Sequence, residues 1–362
     1  MQKTINGVSF RKMVLAGVSL LEQNKEYIDS LNVFPVPDGD TGTNMFLTMK
    51  SAMTEINKCM NNDISALSEA FSKGALRGAR GNSGVITSQI FKGFCSVTSG
   101  CKEITTKDFA KAMQEGATIA YKAVTKPKEG TILTVIRVMA ENAVSLAKKH
   151  EDFEVFLKKV IDTGEEILKQ TPEMLPVLKK AGVVDSGGRG ILVIFTGFYR
   201  YIMGDEDLEM TFEDDKQPQS LDDVIADINN LGDIEFGYCT EYMIIHMHKK
   251  TTEADIDKLR EKLMEIGDSV ICIGDLSLVK VHVHTNEPNK ALGYALELGE
   301  LFNLKIENMR EQNRELKKKA QVVEESKEMG MIAVAPGEGL ASIFKDLTVD
   351  EIIVGGQTMN PS

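Results

Sequence analysis

Residues 32–45 carry side chains from which a metal and phosphate site can be built. Two carboxylates, Asp38 and Asp40, flank a single glycine, and two prolines precede them. Proline fixes φ and biases the residue before it toward extended backbone, so no helix crosses this segment. Mg²⁺ is usually held by one or two carboxylates together with water and phosphate oxygens. The segment therefore predicts that Asp38 and Asp40 are the catalytic magnesium ligands. The alternative is a solvated acidic turn that caps a helix.

Four polar loops, each directly before a predicted helix, supply candidate phosphate ligands. They are residues 32–45, 77–84, 125–131 and 185–190. Helix N-termini expose free backbone N–H groups and a positive dipole end, which suit phosphate. One such loop is usually only a helix cap, but several in one helical domain favour a nucleotide site. None is a Walker A loop or a dinucleotide fingerprint. The candidate nucleotide-binding residues are Asn32, Thr41, Thr43, Asn44, Met45, Asn82, Ser83, Gly84, Thr125, Gly130, Thr131, Asp185 and Gly187.

A second group of candidate ligands lies in the latter half of the chain. His246 and His248 alternate along one predicted strand, and His282 and His284 along another. Alternate residues of a strand share a face, and Cys239 belongs to a strand that can neighbour the second pair. Zinc accepts mixed sulfur and nitrogen ligands, so Cys239, His282 and His284 are predicted to hold Zn²⁺, with the fourth ligand left open. We expect a structural role, because no carboxylate or nucleophile pattern surrounds the group. The alternative is histidines that face solvent.

Apolar residues at helical spacing fill residues 1–203, which predicts an all-α domain of about eight or nine helices. The helices are predicted over about 7–29, 43–60, 64–76, 85–94, 107–124, 132–149, 152–170, 172–180 and 191–203. Each phosphate-friendly loop then lies directly before one of these helices. Residues 204–220 are acidic and polar, which is typical of a linker.

The alternation of apolar and polar residues changes after this linker. Residues 221–306 are predicted to form a small α+β domain, with strands over 238–248, 269–273 and 277–284 and helices over 253–266 and 289–301. A charged helical connector is predicted over 307–328, and residues 329–362 begin a parallel βαβ unit. A domain of about 35 residues cannot bury a normal core. We therefore expect the chain to be a truncated piece of a longer protein.

Composition narrows the range of partners. The 362 residues carry a formal net charge of −12, which argues against nonspecific nucleic-acid binding and against a polybasic membrane surface. No uninterrupted apolar run is long enough to predict a transmembrane segment. Five cysteines, an odd number at irregular positions, suggest reduced thiols and a cytoplasmic location.

Three of these segments together resemble a known family. They are residues 32–45, the Gly-Ala-Arg-Gly-Asn-Ser-Gly of 78–84 and the Glu-Gly-Thr-Ile-Leu-Thr-Val of 129–135. They resemble the nucleotide-binding (DhaL) subunit of dihydroxyacetone kinases, and over essentially its whole length the chain is most similar to bacterial fatty acid kinase catalytic subunits (FakA). The resemblance implies a multidomain protein: an antiparallel eight-helix barrel holding ATP and Mg²⁺, a zinc-bearing α+β domain, and the start of an α/β domain that docks a partner.

The same resemblance implies an activity. A fatty acid carried by a FakB-like binding protein would be phosphorylated by ATP, giving an acyl phosphate for phospholipid synthesis, and the kinase subunit would be a homodimer. Two alternatives stay open: a kinase acting on a small hydroxylated substrate, and a nucleotide- or zinc-binding regulatory module without turnover. The dihydroxyacetone kinase pattern has a third aspartate upstream of the pair. Here Asn32 and Val33 occupy that region, so Asn32 is the expected substitute.

Overall fold

The structure is a computed structural model that describes residues 2–35, 37–204, 235–311, 314, 331–335, 344 and 351–354. Its contacts divide the chain into two units, Met1–Arg314 and Glu315–Ser362. The first unit contains a helical domain and a small α+β domain.

Nine helices make up the helical domain in the part that is described through residue 204. They are α1 (Gly7–Ser30), α2 (Thr41–Lys58), α3 (Ile64–Gly78), α4 (Gly81–Thr98), α5 (Thr106–Ala123), α6 (Ile132–Leu146), α7 (Phe153–Met174), α8 (Pro176–Ala181) and α9 (Ser186–Met203). The predicted helices are confirmed, with shifts of a few residues at their ends. A two-residue strand pair, β1 (Thr4–Ile5) with β2 (Ile104–Thr105), is too short for any periodicity to predict.

The helices pack in a closed order around an apolar core. Each of α1 to α6 packs against the next helix, and α9 packs against both α7 and α1. Aromatic rings fill the centre, with Phe91 in edge-to-face contact with Phe94 and Phe198, and Phe109 with Phe195. Burial of such side chains is the main stabilising contribution to a helical domain of this kind.

An antiparallel sheet forms the α+β domain. Its elements are β3 (Tyr238–Ile245), α10 (Glu253–Ile266), β4 (Gly267–Asp275), β5 (Leu278–Thr285), α11 (Pro288–Leu296) and β6 (Glu300–Asn308), and the strand order is β4-β5-β3-β6. One face of the sheet packs on α10 and α11 through residues such as Tyr242 and Leu263. On the other face, Ile271 and Ile273 pack with Ala79, Val85 and Ala123 of the helical domain. The sheet is thereby docked onto the helical domain.

Two parts of the predicted α+β domain are wrong. Residues 300–308 form strand β6, whereas the prediction placed the end of one helix and the start of the charged connector there. β6 is an edge strand whose apolar side chains Phe302, Leu304 and Ile306 are exposed. They alternate with polar residues, which is a strand signal, but the run follows directly on the helical spacing of residues 289–301, and the change of period was missed. The strand predicted to reach residue 248 ends at Ile245. Residues 205–220 of the linker and most of the connector lie outside the described residues.

The second unit contains a pair of parallel strands, β7 (Ile332–Ala335) and β8 (Glu351–Val354). This pair is the parallel arrangement expected from the sequence. The helix predicted between the two strands lies almost entirely outside the described residues. Among the helices that the structure describes, none combines the length and the hydropathy needed to cross a bilayer.

Candidate nucleotide and metal site

A cavity of about 500 Å³ lies where the helical domain meets the sheet of the α+β domain. Its volume is within the range of typical small-molecule sites. The helical side contributes the first turns of α2, α4, α6 and α9, and the sheet side contributes residues of β3, β4, β5 and β6. The four helices are every second member of the closed packing order, so one end of the helical domain presents four N-termini to one space.

Most of the predicted nucleotide-binding residues line this cavity. Those that do so are Asn32, Thr41, Asn44, Asn82, Ser83, Thr125, Thr131, Asp185 and Gly187. The N-terminal turns offer backbone N–H groups that have no partner inside the helix, together with the hydroxyl and amide groups of these residues. This set of donors is suited to an anionic ligand such as a polyphosphate.

Four predicted residues do not reach the cavity. Met45 is fully buried, in a core position beside Gly190, and Gly84 packs against Thr48. The hydroxyl of Thr43 donates to Asp29 at 2.6 Å. The backbone N–H of Gly130 donates to the hydroxyl of Thr134 at 2.9 Å, and Gly130 adopts a φ of +81°. These four residues therefore do not line the space that a ligand would fill.

The two predicted metal ligands lie side by side on the cavity wall. Asp40 occupies the N-cap position of α2, yet its side chain makes no capping hydrogen bond. The carboxyl groups of Asp38 and Asp40 are close enough to share a hydrogen bond. The surrounding protein and the charge of Asp40 raise the pKa of Asp38 to about 8, and the enclosure of the Asp40 carboxylate raises its pKa as well. Two crowded carboxylates of this kind are suited to a divalent cation, which removes their mutual repulsion.

Asn32 and Asp29 hold this acidic turn in place. The Asn32 side-chain amide donates to Asp38, so Asn32 orients a predicted ligand as well as lining the cavity. Asp29, in the last turn of α1, accepts hydrogen bonds from the backbone N–H of Thr43 at 3.0 Å and from its hydroxyl at 2.6 Å. Sequence reasoning missed Asp29 because its spacing from Asp38 matches no motif.

The predicted zinc ligands also converge, and they border the same cavity. One ligand atom from each of Cys239, His282 and His284 lies within 4.8 Å of the others, so the three residues can hold a metal ion. The two histidine Nε2 atoms are 3.2 Å apart, close to the roughly 3.3 Å expected between two nitrogens on a tetrahedral zinc at ~2.0–2.1 Å. The donor set therefore fits zinc.

Carboxylates surround this cluster, and the expectation that none would do so is wrong. Glu241 accepts from His282 Nδ1 at 2.7 Å, and Asp268 lies 3.6 Å from His284 Nδ1. Such partners orient metal-bound histidines. Burial and the neighbouring His282 lower the pKa of His284 to about 3. Burial alone would lower the pKa of His282, but Cys239 and Glu241 outweigh it and raise that pKa to about 10.

The other histidine pair does not form a ligand cluster. His246 and His248 follow the end of β3, and both are exposed. His246 Nδ1 lies 3.1 Å from Glu300, and His248 Nε2 lies 3.3 Å from the carbonyl of Leu296. The two rings therefore engage different partners.

Several residues of the cavity were not predicted from the sequence. Three of them are the positively charged residues Lys126, Lys128 and Lys305. Polar groups of Gly81, Ser186 and Glu241 also line the cavity. The arginines of the phosphate-friendly loops do not line the cavity. Arg189, for example, is buried and pairs with Glu165 at 2.7 Å. Lys305 lies on β6, so the missed strand also concealed this lysine.

Comparisons with known proteins agree with this arrangement of domains. Residues 35–200 match the DAK2 domain family, residues 235–316 match the FakA-like middle domain of fatty acid kinases, and residues 330–362 match the FakA-like C-terminal domain. The chain is 45% identical to protein YloV of Bacillus subtilis (strain 168) and 44% identical to an uncharacterized protein of Staphylococcus aureus (strain USA300). Each alignment covers 99% of this chain and 66% of the relative, so the chain spans slightly less than two thirds of these relatives.

Proposed function

The chain belongs to the FakA-like family of fatty acid kinase proteins, and from this membership and the geometry of the cavity we propose that it is an ATP-dependent kinase subunit. Its proposed substrate is a fatty acid carried by a separate FakB-like binding protein. The product is an acyl phosphate for phospholipid synthesis.

One observation carries this proposal: the acidic pair and four helix N-termini surround a single cavity. In the proposed complex, Asp38 and Asp40 hold Mg²⁺, and the first turns of α2, α4, α6 and α9 bind the phosphates of ATP. Bound Mg²⁺ would supply charge neutralisation at the transferred phosphoryl group. Phosphoryl transfer depends mainly on positioning and electrostatic stabilisation, and this arrangement of donors can supply both.

The closed packing of α1 to α7 and α9 supports an antiparallel eight-helix barrel as the finer description of the helical domain. In such a barrel every second helix begins at the same end. That geometry explains why α2, α4, α6 and α9 direct their N-termini into one space. The phosphate site then follows from the topology of the helices.

A carboxylic acid is a phosphoryl acceptor that places few demands on the residues of the cavity. A carboxylate is ionised at neutral pH, since carboxyl groups titrate near pH 4, and needs no general base. One of its oxygens attacks the γ-phosphorus while the bond to the β–γ bridging oxygen breaks, and ADP leaves. Lys126, Lys128 and Lys305 line the cavity and can balance the negative charge of the acceptor and the phosphates.

Zinc at Cys239, His282 and His284 completes the proposed set of cofactors, beside ATP and Mg²⁺. The cluster lines the cavity that Asp38 and Asp40 also line, which favours a role close to the transfer site over a remote structural role. Bound zinc would supply Lewis acidity. The homodimer is proposed from the resemblance, and sedimentation of the purified protein tests it. The cytoplasmic location is proposed from the odd number and irregular positions of the cysteines.

A coupled assay tests the function. The complete protein is incubated with ATP, Mg²⁺ and a fatty-acid-loaded binding protein, and acyl phosphate is trapped with hydroxylamine. Hydroxamate that depends on both proteins is the expected result. Phosphorylation of dihydroxyacetone without any partner would favour the small-substrate kinase. Tight ADP binding with no turnover on either substrate would favour the regulatory module.

A further inference from the structure

We propose that Glu241 is a positioning residue whose single carboxylate docks the α+β domain onto α4 and thereby couples the Cys239–His282–His284 cluster to the nucleotide cavity. The docking part of this inference stands on contacts within the chain. The coupling part rests on the proposed function, because it takes the cavity to be the nucleotide site.

Glu241 caps a helix that belongs to the other domain. Its Oε1 accepts from the backbone N–H of Gly81, the first residue of α4, at 2.9 Å, although 160 residues separate the two. The N-cap residue of α4 is Arg80, whose side chain makes no capping hydrogen bond. A helix start leaves its first N–H groups without partners and favours a negative charge there. The sheet therefore supplies the cap that the sequence around α4 lacks.

The same oxygen orients the metal cluster. His282 Nδ1 lies 2.7 Å from Glu241 Oε1, which leaves Nε2 as the atom that lies 3.2 Å from His284 Nε2. A carboxylate on one ring nitrogen fixes the tautomer and the orientation in which the other nitrogen binds a metal. One oxygen atom thus accepts from the start of α4 and from a predicted zinc ligand.

Strand register explains why this carboxylate reaches both partners. Glu241 lies directly opposite His282 on β5 and opposite Lys305 on β6. Cys239, two residues before Glu241, shares its face of the sheet. Lys280 Nζ lies 3.7 Å from Glu241 Oε2, and the side chains of Lys280 and His282 are each only 2% exposed. Glu241 is thus surrounded by buried groups that need it as a partner.

A second set of contacts continues from Gly81 to the acidic pair. Gly81 has a φ of +56°, and a Cβ there would lie 2.5 Å from Asn44 Nδ2. The Asn44 side chain in turn hydrogen-bonds to Asp40. The path His282–Glu241–Gly81–Asn44–Asp40 is therefore continuous through hydrogen bonds and close packing. A change in the orientation of His282 when a metal binds is transmitted to the start of α4 and to Asp40.

Coupling of this kind is reciprocal by thermodynamic necessity. Metal in the cluster should change the affinity for Mg-ADP, and Mg-ADP should change the affinity for the metal by the same factor. The usual range for such coupling is about 5- to 150-fold. Glu241 carries the direct hydrogen bonds between the two sites, so its replacement should reduce the factor toward 1.

The test compares the wild-type chain with Glu241→Gln. Glutamine keeps the shape but removes the negative charge that strengthens both hydrogen bonds of Oε1 and favours the start of α4. With its oxygen toward Gly81 and His282, its amide donors face Lys280 Nζ, which is itself a donor. Glu300→Gln, an exposed carboxylate of the same domain, is the matched control. Three measurements are made on each protein: hydrogen exchange of the amides at 81–83, affinity for Zn²⁺, and affinity for Mg-ADP with and without Zn²⁺. Circular dichroism confirms that each variant is folded.

In the wild-type chain, Zn²⁺ should tighten Mg-ADP binding at least ~5-fold, the lower end of typical coupling. Glu241→Gln should cut this factor below about 2-fold, speed exchange at Gly81, and weaken Zn²⁺ binding by about 10- to 100-fold, as loss of outer-shell partners does. Glu300→Gln should match the wild type. Unchanged exchange at Gly81 together with unchanged coupling in Glu241→Gln would overturn the inference. If no form binds Mg-ADP, the proposed function fails, while exchange and Zn²⁺ affinity still decide the docking role.

Discussion

The hydroxyl oxygens of Thr41 and Ser186 lie 3.2 Å apart, in the first turns of α2 and α9, although 145 residues separate the two positions in the chain. The contact joins two of the four helix N-termini that surround the cavity. Thr41 directly follows Asp40 in the chain, and Ser186 directly follows Asp185. The cavity is therefore fixed by the packing of long helices, which favours a preformed binding site.

Replacing Asp38 or Asp40 should have opposite effects on Mg-ADP binding and on the stability of the metal-free protein. Asp38→Asn or Asp40→Asn should weaken Mg-ADP binding at least ~100-fold, beyond the loss typical of outer-shell partners. At neutral pH each change should also raise the stability of the metal-free protein by ~0.5–2 kcal/mol. The raised pKa values mean that the folded state disfavours the ionised carboxylates, a cost that asparagine does not carry. Calorimetry and denaturant unfolding measure the two effects.

The matched control for this pair is Asp162→Asn, an exposed residue of α7 that does not line the cavity. It should leave Mg-ADP affinity unchanged and lower the free energy of unfolding by at most ~0.5 kcal/mol, the usual contribution of an exposed i,i+4 ion pair such as the one with Lys158. An ADP affinity in Asp38→Asn and Asp40→Asn equal to that of the wild type would remove these residues as magnesium ligands.

Asp29 offers a test of how the acidic turn is held. Asp29→Ala should lower the free energy of unfolding by ~1–3 kcal/mol, because it leaves a backbone donor and a hydroxyl of Thr43 without their acceptor. With the start of α2 released, Mg-ADP affinity should fall by about 10-fold, since small misplacements of a site are costly. Glu26→Ala, on the exposed side of α1, is the control. If Asp29→Ala loses stability but keeps full Mg-ADP affinity, Asp29 serves the helix and not the site.

Local features of the fold were accessible from the sequence because they depend on neighbouring residues. Apolar spacing identified the nine helices, but residues 81–84 and 186–190, predicted as loops, form the first turns of α4 and α9. Alternation along β3 and β5 correctly placed Cys239, His282 and His284 on one face of the sheet. Apart from the pairing of β3 with β5, each of these inferences uses residues only a few positions apart.

Contacts between elements that are far apart in the sequence could not be predicted from the spacing of residues. The contact of Gly81 with Glu241 spans 160 residues and exists because apolar residues of β4 dock against α4 and α5. Lys305 was missed because the period-2 alternation of β6 follows directly on the helical spacing of residues 289–301, and the strand was not recognised. Asp29 was missed because a carboxylate in the last turn of a long helix looks like surface charge until the fold brings Thr43 beside it.

Metal analysis of the purified chain tests the zinc cluster. The wild-type protein should carry about one zinc per chain, and His284→Ala should lose it, since a tetrahedral site with one ligand fewer binds weakly. His246→Ala should retain the metal, because that ring is exposed beyond β3 and contacts Glu300. Equal zinc content in His284→Ala and the wild type would exclude the cluster as the binding site. Co²⁺ substitution gives an independent readout, because a thiolate ligand from Cys239 produces a charge-transfer band that Cys239→Ser lacks.

The buried carboxyl group of Asp185 predicts how stability depends on pH. Its side chain caps α9 by accepting from the backbone N–H of Gly188 at 2.7 Å. Burial raises its pKa from 3.8 to about 7. Between these two pKa values the folded state binds a proton that the unfolded state has released. The contribution of Asp185 to the free energy of unfolding is therefore greatest below about pH 4 and is lost as the pH rises to about 7.

Asp185→Asn isolates this contribution, because asparagine caps a helix about as well as aspartate and does not titrate. In nucleotide-free and metal-free protein, the difference in unfolding free energy between the wild type and Asp185→Asn should shift in favour of Asn as the pH rises from about 4 to about 7. Above about pH 8 the difference should stay constant. Denaturant unfolding of both proteins across this range measures it, and Asp162→Asn serves as the exposed control. A difference that does not change with pH would show that the Asp185 carboxyl group has the same pKa in the folded and unfolded states. Burial would then not raise the pKa of Asp185.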